Sequence, residues 1–468
     1  MTDSAVAETC RLTVRAPSVT IDLAVPADVP VADLLPTLLR YVGEEAEEAG
    51  LDHAGWVLQR LGDAPLDEET TLARAGLADG AVLHLRPHTE ALPEARLDDL
   101  VDGMAETVGR RLHTWHAGAA RGLLVGTAVA TVATALVMVF RPGVTDSAAT
   151  RAACAAVAGV LLLAGAGSAS RAVGERLSAT ALGLLVAPCF ALVGWVLPGG
   201  DLSGPDASQV AGARLLAAGA AAAGGAVLAL AATAVGAPAL LATAVVAVAT
   251  AVSGALMGYT NLDAAASVAL VATVVALAAG AVAPFAFKLA GMRMPALPSS
   301  AGQLQEGIDP YAGDEVAERT ELAGRWVTAL FAATGTVVAA ALAVLAHTPD
   351  LPETLTALAL ALLLLLHARG LVHIGQRLTL AVPGVLGLLL LARAWAVDSD
   401  ADGRVVVFAV LLAAAAALVT ASWIVPGRRV LPYWGRAAEL AHTGFAVALL
   451  PLALWVAGLF GWLRGLFG

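Results

Sequence analysis

The spacing of apolar residues follows one rule over the first ninety positions and another over the rest of the chain. From Arg11 to Pro87 the apolar positions come in short sets divided by turn residues. Leu12 and Val14 alternate with polar neighbours, as do Ile21, Leu23 and Val25, which predicts two half-buried strands joined by a turn around Pro17 and Ser18. Val31, Leu34, Leu35, Leu38, Leu39 and Val42 then recur at helical spacing, one apolar face of an amphipathic helix ending near Gly43. Pro36 constrains its start. With Asp33 as N-cap the missing N–H falls harmlessly in the first turn, whereas a start at Asp28 predicts a kink. GWVLQRLG (Gly55 to Gly62) predicts a third strand, PLD (Pro65 to Asp67) a short fourth and AVLHLRP (Ala81 to Pro87) the last, in the order β-β-α-β-β-β.

Between Glu94 and Gly118 the period becomes purely helical: Leu97, Leu100, Val101, Met104, Val108, Leu112 and Trp115 share a face, with Arg110 and Arg111 near its end. This is an amphipathic linker helix, suited equally to the headgroup region of a membrane and to a partner helix. Beyond it the apolar runs are nearly continuous. A hydrocarbon core of about 30 Å needs about 20 apolar residues per helix, and the candidates are 121–140, 152–170, 177–197, 213–233, 239–259, 264–287, 326–346, 354–370, 378–397, 405–425 and 439–461. Eleven spans result. The charge-free stretch from Leu215 to Leu262 is too long for one crossing, and VGAPAL (Val235 to Leu240) supplies the Gly and Pro that divide it. The domains are therefore a soluble head (1–90), the linker (91–118), spans one to six (119–287), a loop (288–325) and spans seven to eleven (326–468).

Composition agrees with a polytopic membrane protein: 59% of residues are hydrophobic and only 14% charged, against a usual charged share of roughly a quarter. A barrel is disfavoured, because the spans do not alternate apolar and polar residues. Arginines and lysines set orientation. Arg110, Arg111, Arg121, Arg171, Arg176, Lys288, Arg293, Arg319, Arg325, Arg369, Arg377, Arg428, Arg429 and Arg436 all fall on one side, and the opposite loops carry acids such as Asp201, Asp206, Asp263, Asp350 and Asp400. This predicts a cytoplasmic N-terminus and an outer C-terminus, and the first residues show no secretory signal that would say otherwise.

The chemistry of the spans is sparse. A net charge of −11 with no basic cluster argues against nucleic acid, and Cys10, Cys154 and Cys189 are scattered with no ligand spacing around them. No GxSxG, HExxH or P-loop pattern occurs, so no catalytic residue, metal ligand or cofactor site is expected. Ion-coupled transporters keep ionisable groups inside the bilayer. Here Arg393, Glu439 and His442 lie near span boundaries and read as interfacial anchors, while His367 and His373 flank an inner loop without an obvious partner. A secondary transporter with a regulatory head is the alternative reading. Small residues, as in LLLAGAGSAS (Leu161 to Ser170) and AAGAAAAGGAVLAL (Ala217 to Leu230), predict close helix contact.

The head resembles ubiquitin in its element order and in GDAPLDEETTLARAGLADGAVLHLRP (Gly62 to Pro87), although its last strand runs on toward the membrane with no free diglycine tail, which excludes conjugation. The whole arrangement, with head segments RLTVRAP and VPVADLLPTLL, the linker, eleven spans and a long loop after the sixth, resembles the EccD family of type VII (ESX) secretion systems. The fold class expected is an α+β ubiquitin-like β-grasp head followed by an all-α bundle of eleven transmembrane helices. That resemblance implies a non-enzymatic bacterial inner-membrane scaffold. It implies pairing of two copies around a lipid-filled space, and contacts with the FtsK/SpoIIIE-type ATPase EccC and with EccB and EccE. Candidate partner contacts are Arg15, Arg60, Arg86, Arg110, Arg111, Arg319 and Arg325.

Overall fold

The computed structural model describes residues 9–17, 19–42, 55–77, 79–91, 117–141, 147–260, 262–292, 313–347, 350–424 and 432–467. The chain divides into two units, Met1–His116 and Ala117–Gly468. The expected linker helix, with Arg110 and Arg111, lies outside the described residues, as do Ser18 and most of the loop between the sixth and seventh spans.

In the head, β1 (Thr9–Arg15) pairs antiparallel with β2 (Thr20–Pro26), and the turn is closed by Ala16 N–H donating to the Val19 carbonyl at 2.8 Å. Helix α1 (Val31–Val42) crosses over to β3 (Trp56–Gln59), and β4 (Ala81–Pro87) returns between β3 and β1 to give the order β2-β1-β4-β3. The central pair, β1 with β4, is parallel. Strands β1 and β4 bury one face: Cys10, Leu12 and Val14 of β1 and Leu83 and Leu85 of β4 close on Val31, Leu34 and Leu38 of α1, with Leu58 and Leu72 completing the core, while β2 buries no residue fully and β3 buries Val57, Leu58 and Gln59 in succession. A fully buried Leu or Val contributes about 1.5–3 kcal/mol, so this small set is what holds the sheet to the helix.

Two details of the head differ from expectation. PLD is not a strand. Pro65 forms a single bridge to Gln59 and the Leu66 N–H donates to the Leu58 carbonyl at 2.8 Å. The pairing stops there, because proline has no N–H to extend it and Asp67 turns the chain by accepting from Glu69 N–H at 3.2 Å. The second concerns Pro36, which sits at the sixth position of a helix that begins at Val31, so it is neither in the first turn nor past a start at Asp28. The early start is stabilised from outside: Val31 N–H donates to the Thr70 carbonyl at 3.1 Å and Ala32 N–H to the Glu68 carbonyl at 2.9 Å. The acidic turn thereby satisfies two of the donors at the helix start.

The second unit contains eleven helices long and apolar enough to cross a membrane: Ala117–Phe140, Ala148–Val173, Arg176–Val196, Ala207–Thr233, Ala237–Tyr259, Ala264–Leu289, Glu315–Leu345, Leu351–Arg369, Ile374–Asp398, Ala401–Ile424 and Tyr433–Val456, called spans 1 to 11. VGAPAL divides spans 4 and 5 as expected, with Ala234 (φ 53°) and Gly236 (φ 68°) left-handed and a proline at the start of span 5. Span 7 continues a helix that begins at Gly313. Span 11 is displaced from the expected 439–461: it begins at Tyr433 and ends at Val456, Gly458 turns left-handed (φ 76°), and a separate helix, Leu459–Phe467, follows.

Spans 4 and 5 approach each other closely enough that a Cβ at Gly212 would meet the Gly258 nitrogen at 2.6 Å. A larger core joins spans 6, 7, 8, 9 and 11 around Phe331, Leu342, Leu360, Leu364, Leu380 and Leu449. Span 1, by contrast, buries none of its apolar window, and span 10 buries 6%. Both are clothed in side chains suited to lipid or to another protein.

Candidate docking face and polar contacts of the bundle

Strand alternation sorts the head's arginines by face. With Leu12, Val14, Leu83 and Leu85 turned into the core, the residues between them, Arg11, Thr13 and Arg15 on β1 and Val82, His84 and Arg86 on β4, must point the other way. The register sets Arg15 beside His84, His84 beside Gln59, and Arg86 beside Val57. Arg15 and Arg86 therefore share one sheet face, open along β1 and closed at Val57 and Gln59 of β3. Arg11 joins them, and among the described strand residues this face sets three guanidiniums against one carboxylate, Asp22, which accepts from Thr13 Oγ1 at 2.6 Å. Arg60 lies just past the end of β3 and is 3.9 Å from Asp63, a long and exposed ion pair. Arg11 and His84 were not picked out by inspection of basic residues; the period-two alternation on β1 and β4 is the signal that finds them.

Arg319 and Arg325 belong to the helix that becomes span 7. Arg319 is engaged by Glu315 and donates to the Gly291 carbonyl at 3.1 Å, which ties the start of this helix to the end of span 6. Arg325 pairs with Glu321 at 2.6 Å. Both belong to the second unit.

Polar side chains in the bundle serve helix ends and helix contacts. Glu175 caps span 3 by accepting from Ser178 N–H at 2.5 Å and Leu177 N–H at 3.4 Å, with Arg121 of span 1 at 3.8 Å. The bonds to Ser178, then the bond to Leu177 and the nearby Arg121, hold its carboxyl below the ordinary value of 4.5. Asp263 caps span 6 through Ala266 N–H at 2.7 Å, and Asp400 accepts from Gly403 N–H at 2.9 Å. The acids that mark one side of the membrane in the sequence thus also close helix starts there. Ser170 Oγ donates to the Thr233 carbonyl at 2.5 Å, joining spans 2 and 4.

His367 of span 8 and His442 of span 11, read separately as boundary residues, meet: His367 Nδ1 is 3.3 Å from His442 Nε2, and the edge of Phe331 packs on His367 with ring centres 5.3 Å apart. Among the described residues no group of three or more His, Cys, Asp or Glu gathers at metal-ligand distance. The histidine pair is a helix-to-helix contact.

A β-grasp head carried by an eleven-span helical bundle defines a polytopic membrane protein with a ubiquitin-like domain. A family model described as EccD-like transmembrane domain matches residues 120–466, and one described as WXG100 protein secretion system (Wss), protein YukD, matches residues 9–85. The chain belongs to the EccD family, the multispanning membrane component of ESX-type secretion. It is 38% identical over 95 residues to the ESX-4 secretion system protein eccD4 of Mycobacterium tuberculosis, an alignment covering 20% of this chain and 20% of that protein. The match thus spans about a fifth of the curated relative. Two solved structures share the fold. Protomer 1 of the ESX-3 core complex superposes with a TM-score of 0.55 at 18% identity, covering 97% of this chain and 99% of that one. The MycP5-free ESX-5 inner membrane complex gives 0.58 at 20% identity, covering 88% and 99%.

Proposed function

We propose that this chain is a non-enzymatic structural subunit of a type VII secretion inner-membrane complex, with its N-terminus cytoplasmic and its C-terminus outside. Its head is a docking module for the FtsK/SpoIIIE-type ATPase EccC. Two copies pair around a lipid-filled space, and EccB and EccE complete the assembly. The observation that carries the docking role is the sheet face on which, among the described strand residues, Arg11, Arg15 and Arg86 outnumber Asp22, with Asp79 at its edge accepting from the Arg11 backbone N–H at 2.8 Å. Arg11 and Arg15 are exposed, whereas Arg86 is half-buried beside Val57, so the accessible part of this basic face lies along β1 and is free for a partner. The unburied surfaces of spans 1 and 10 support the pairing, and the bias of basic residues supports the orientation. Arg319, on the inner end of span 7, is the candidate contact of the loop.

The test is recovery of the ATPase by tagged full-length protein from detergent-solubilised membranes. Arg15→Glu with Arg86→Glu places like charges against the partner, which costs several kcal/mol, so recovery should fall about tenfold or more. Glu68→Gln with Glu69→Gln, in the acidic turn, should leave it unchanged. Equal recovery by all three proteins would remove the head from the docking role.

A further inference from the structure

The bundle carries a half-open cavity of about 1260 Å³ at one end. Its polar lining comes from the start of span 3 (Arg176), the inner end of span 7 (Glu321 and Arg325) and the start of span 9 (His373 and Gln376), and the turn joining spans 4 and 5 closes it. Successive spans run in opposite directions, so odd-numbered starts and the joint between spans 4 and 5 all lie on the same membrane face. This is the face that the basic residues mark as cytoplasmic. Deeper in, the lining turns apolar along spans 5 and 7, through Ala242, Val246, Ala332 and Ala333.

The charges are unbalanced. Arg325 is paired with Glu321 at 2.6 Å, whereas the Arg176 guanidinium has no carboxylate partner among the described residues, which leaves two cations against one anion at the cavity mouth. Spans 5 and 9 also begin here, at Gly236 and His373, neither with a side-chain cap, and helix starts add partial positive charge. The volume exceeds the roughly 300–1,000 Å³ of sites for small soluble ligands. A basic mouth above an apolar channel, at the level where helices leave the membrane, matches one chemistry: an anionic headgroup carrying acyl chains.

We infer that this cavity is a binding site for an anionic phospholipid, its phosphate held by Arg176 and Arg325 and one acyl chain lying between spans 5 and 7. All of its lining residues belong to a single chain. It does not depend on the ATPase docking reading.

The test uses the purified full-length protein in detergent micelles. Its unfolding midpoint is followed as phosphatidylglycerol or phosphatidylcholine is added, and retained lipid is counted by native mass spectrometry. Phosphatidylglycerol should raise the midpoint and remain bound, and phosphatidylcholine should do neither. Arg176→Gln with Arg325→Gln should weaken the response about tenfold or more, at about fivefold per arginine, while Arg176→Lys with Arg325→Lys should keep most of it. Thr336→Trp, which fills the channel without altering charge, should also displace the lipid; Thr336 lines the cavity. An equal response to phosphatidylcholine would overturn the proposal, as would an undiminished response in the glutamine pair or the tryptophan variant. Glycerol 3-phosphate alone reproducing the stabilisation would reduce the site to a plain anion site and overturn it as well.

Discussion

Cys10 lies on the core face of β1, 5% exposed, with its Sγ 3.7 Å from the Leu77 carbonyl. Burial, and secondarily the charge of Asp79, push its thiol above the ordinary 9.0. The folded head therefore keeps a proton that the unfolded chain releases once pH rises past 9.0, so this contribution is complete below that pH and is lost above it. Pulse proteolysis of the head in urea should give a lower midpoint at about pH 10 than at about pH 8, and Cys10→Ala should shrink the difference. An unchanged difference in the variant would assign the effect to other groups. Single residues also mark where reading along the chain stops. Glu175 and Asp263 sit just before apolar runs, where caps are legible from order alone. The meeting of His367 and His442 is not, since 75 positions separate them and only the packing of span 8 on span 11 joins their rings.

Among elements, spans 4 and 5 approach each other closely, where Gly254 faces the Gly212 carbonyl and Gly219 faces the Ala247 carbonyl, with room for hydrogen only: a Cβ would come within 2.7 and 2.6 Å of those oxygens. The obstacle is backbone, which cannot swing aside as a side chain does. Gly254→Leu should destabilise the bundle by about 1–3 kcal/mol or more, read as a lower unfolding midpoint in detergent. Gly224→Leu, where nothing lies within 4 Å, should leave the midpoint unchanged and serves as the control. The small-residue pattern of AAGAAAAGGAVLAL signals this kind of contact, and the division at VGAPAL was equally legible because a proline and two left-handed residues can end a helix whatever surrounds them. PLD was misleading. Its period suggests a strand, but proline cannot continue a ladder and Asp67 starts a turn, and local pattern does not weigh these against each other. The early end of span 11 at Val456 escaped for a related reason, since hydropathy continues through Gly458 into the next helix.

For the molecule as a whole, the order of parts carried most of the information: a β-grasp head, eleven spans and a long loop after the sixth are visible as changes of apolar period, and they lead to the EccD family. The docking face was only half visible. The arginines stand out in the sequence, but which of them share a surface depends on the parallel pairing of β1 with β4, two strands separated by most of the head. The lipid cavity was not visible at all, because its lining comes from spans 3, 5, 7 and 9 and the turn before span 5, which no local window contains together. The central claim, a subunit that works only within a secretion complex, is tested most directly by affinity purification of the full-length protein from its native membrane with mass spectrometry of what accompanies it. EccB, EccC and EccE proteins should accompany it together with a second copy of the chain; a homodimer with none of them would overturn this reading and favour a transporter.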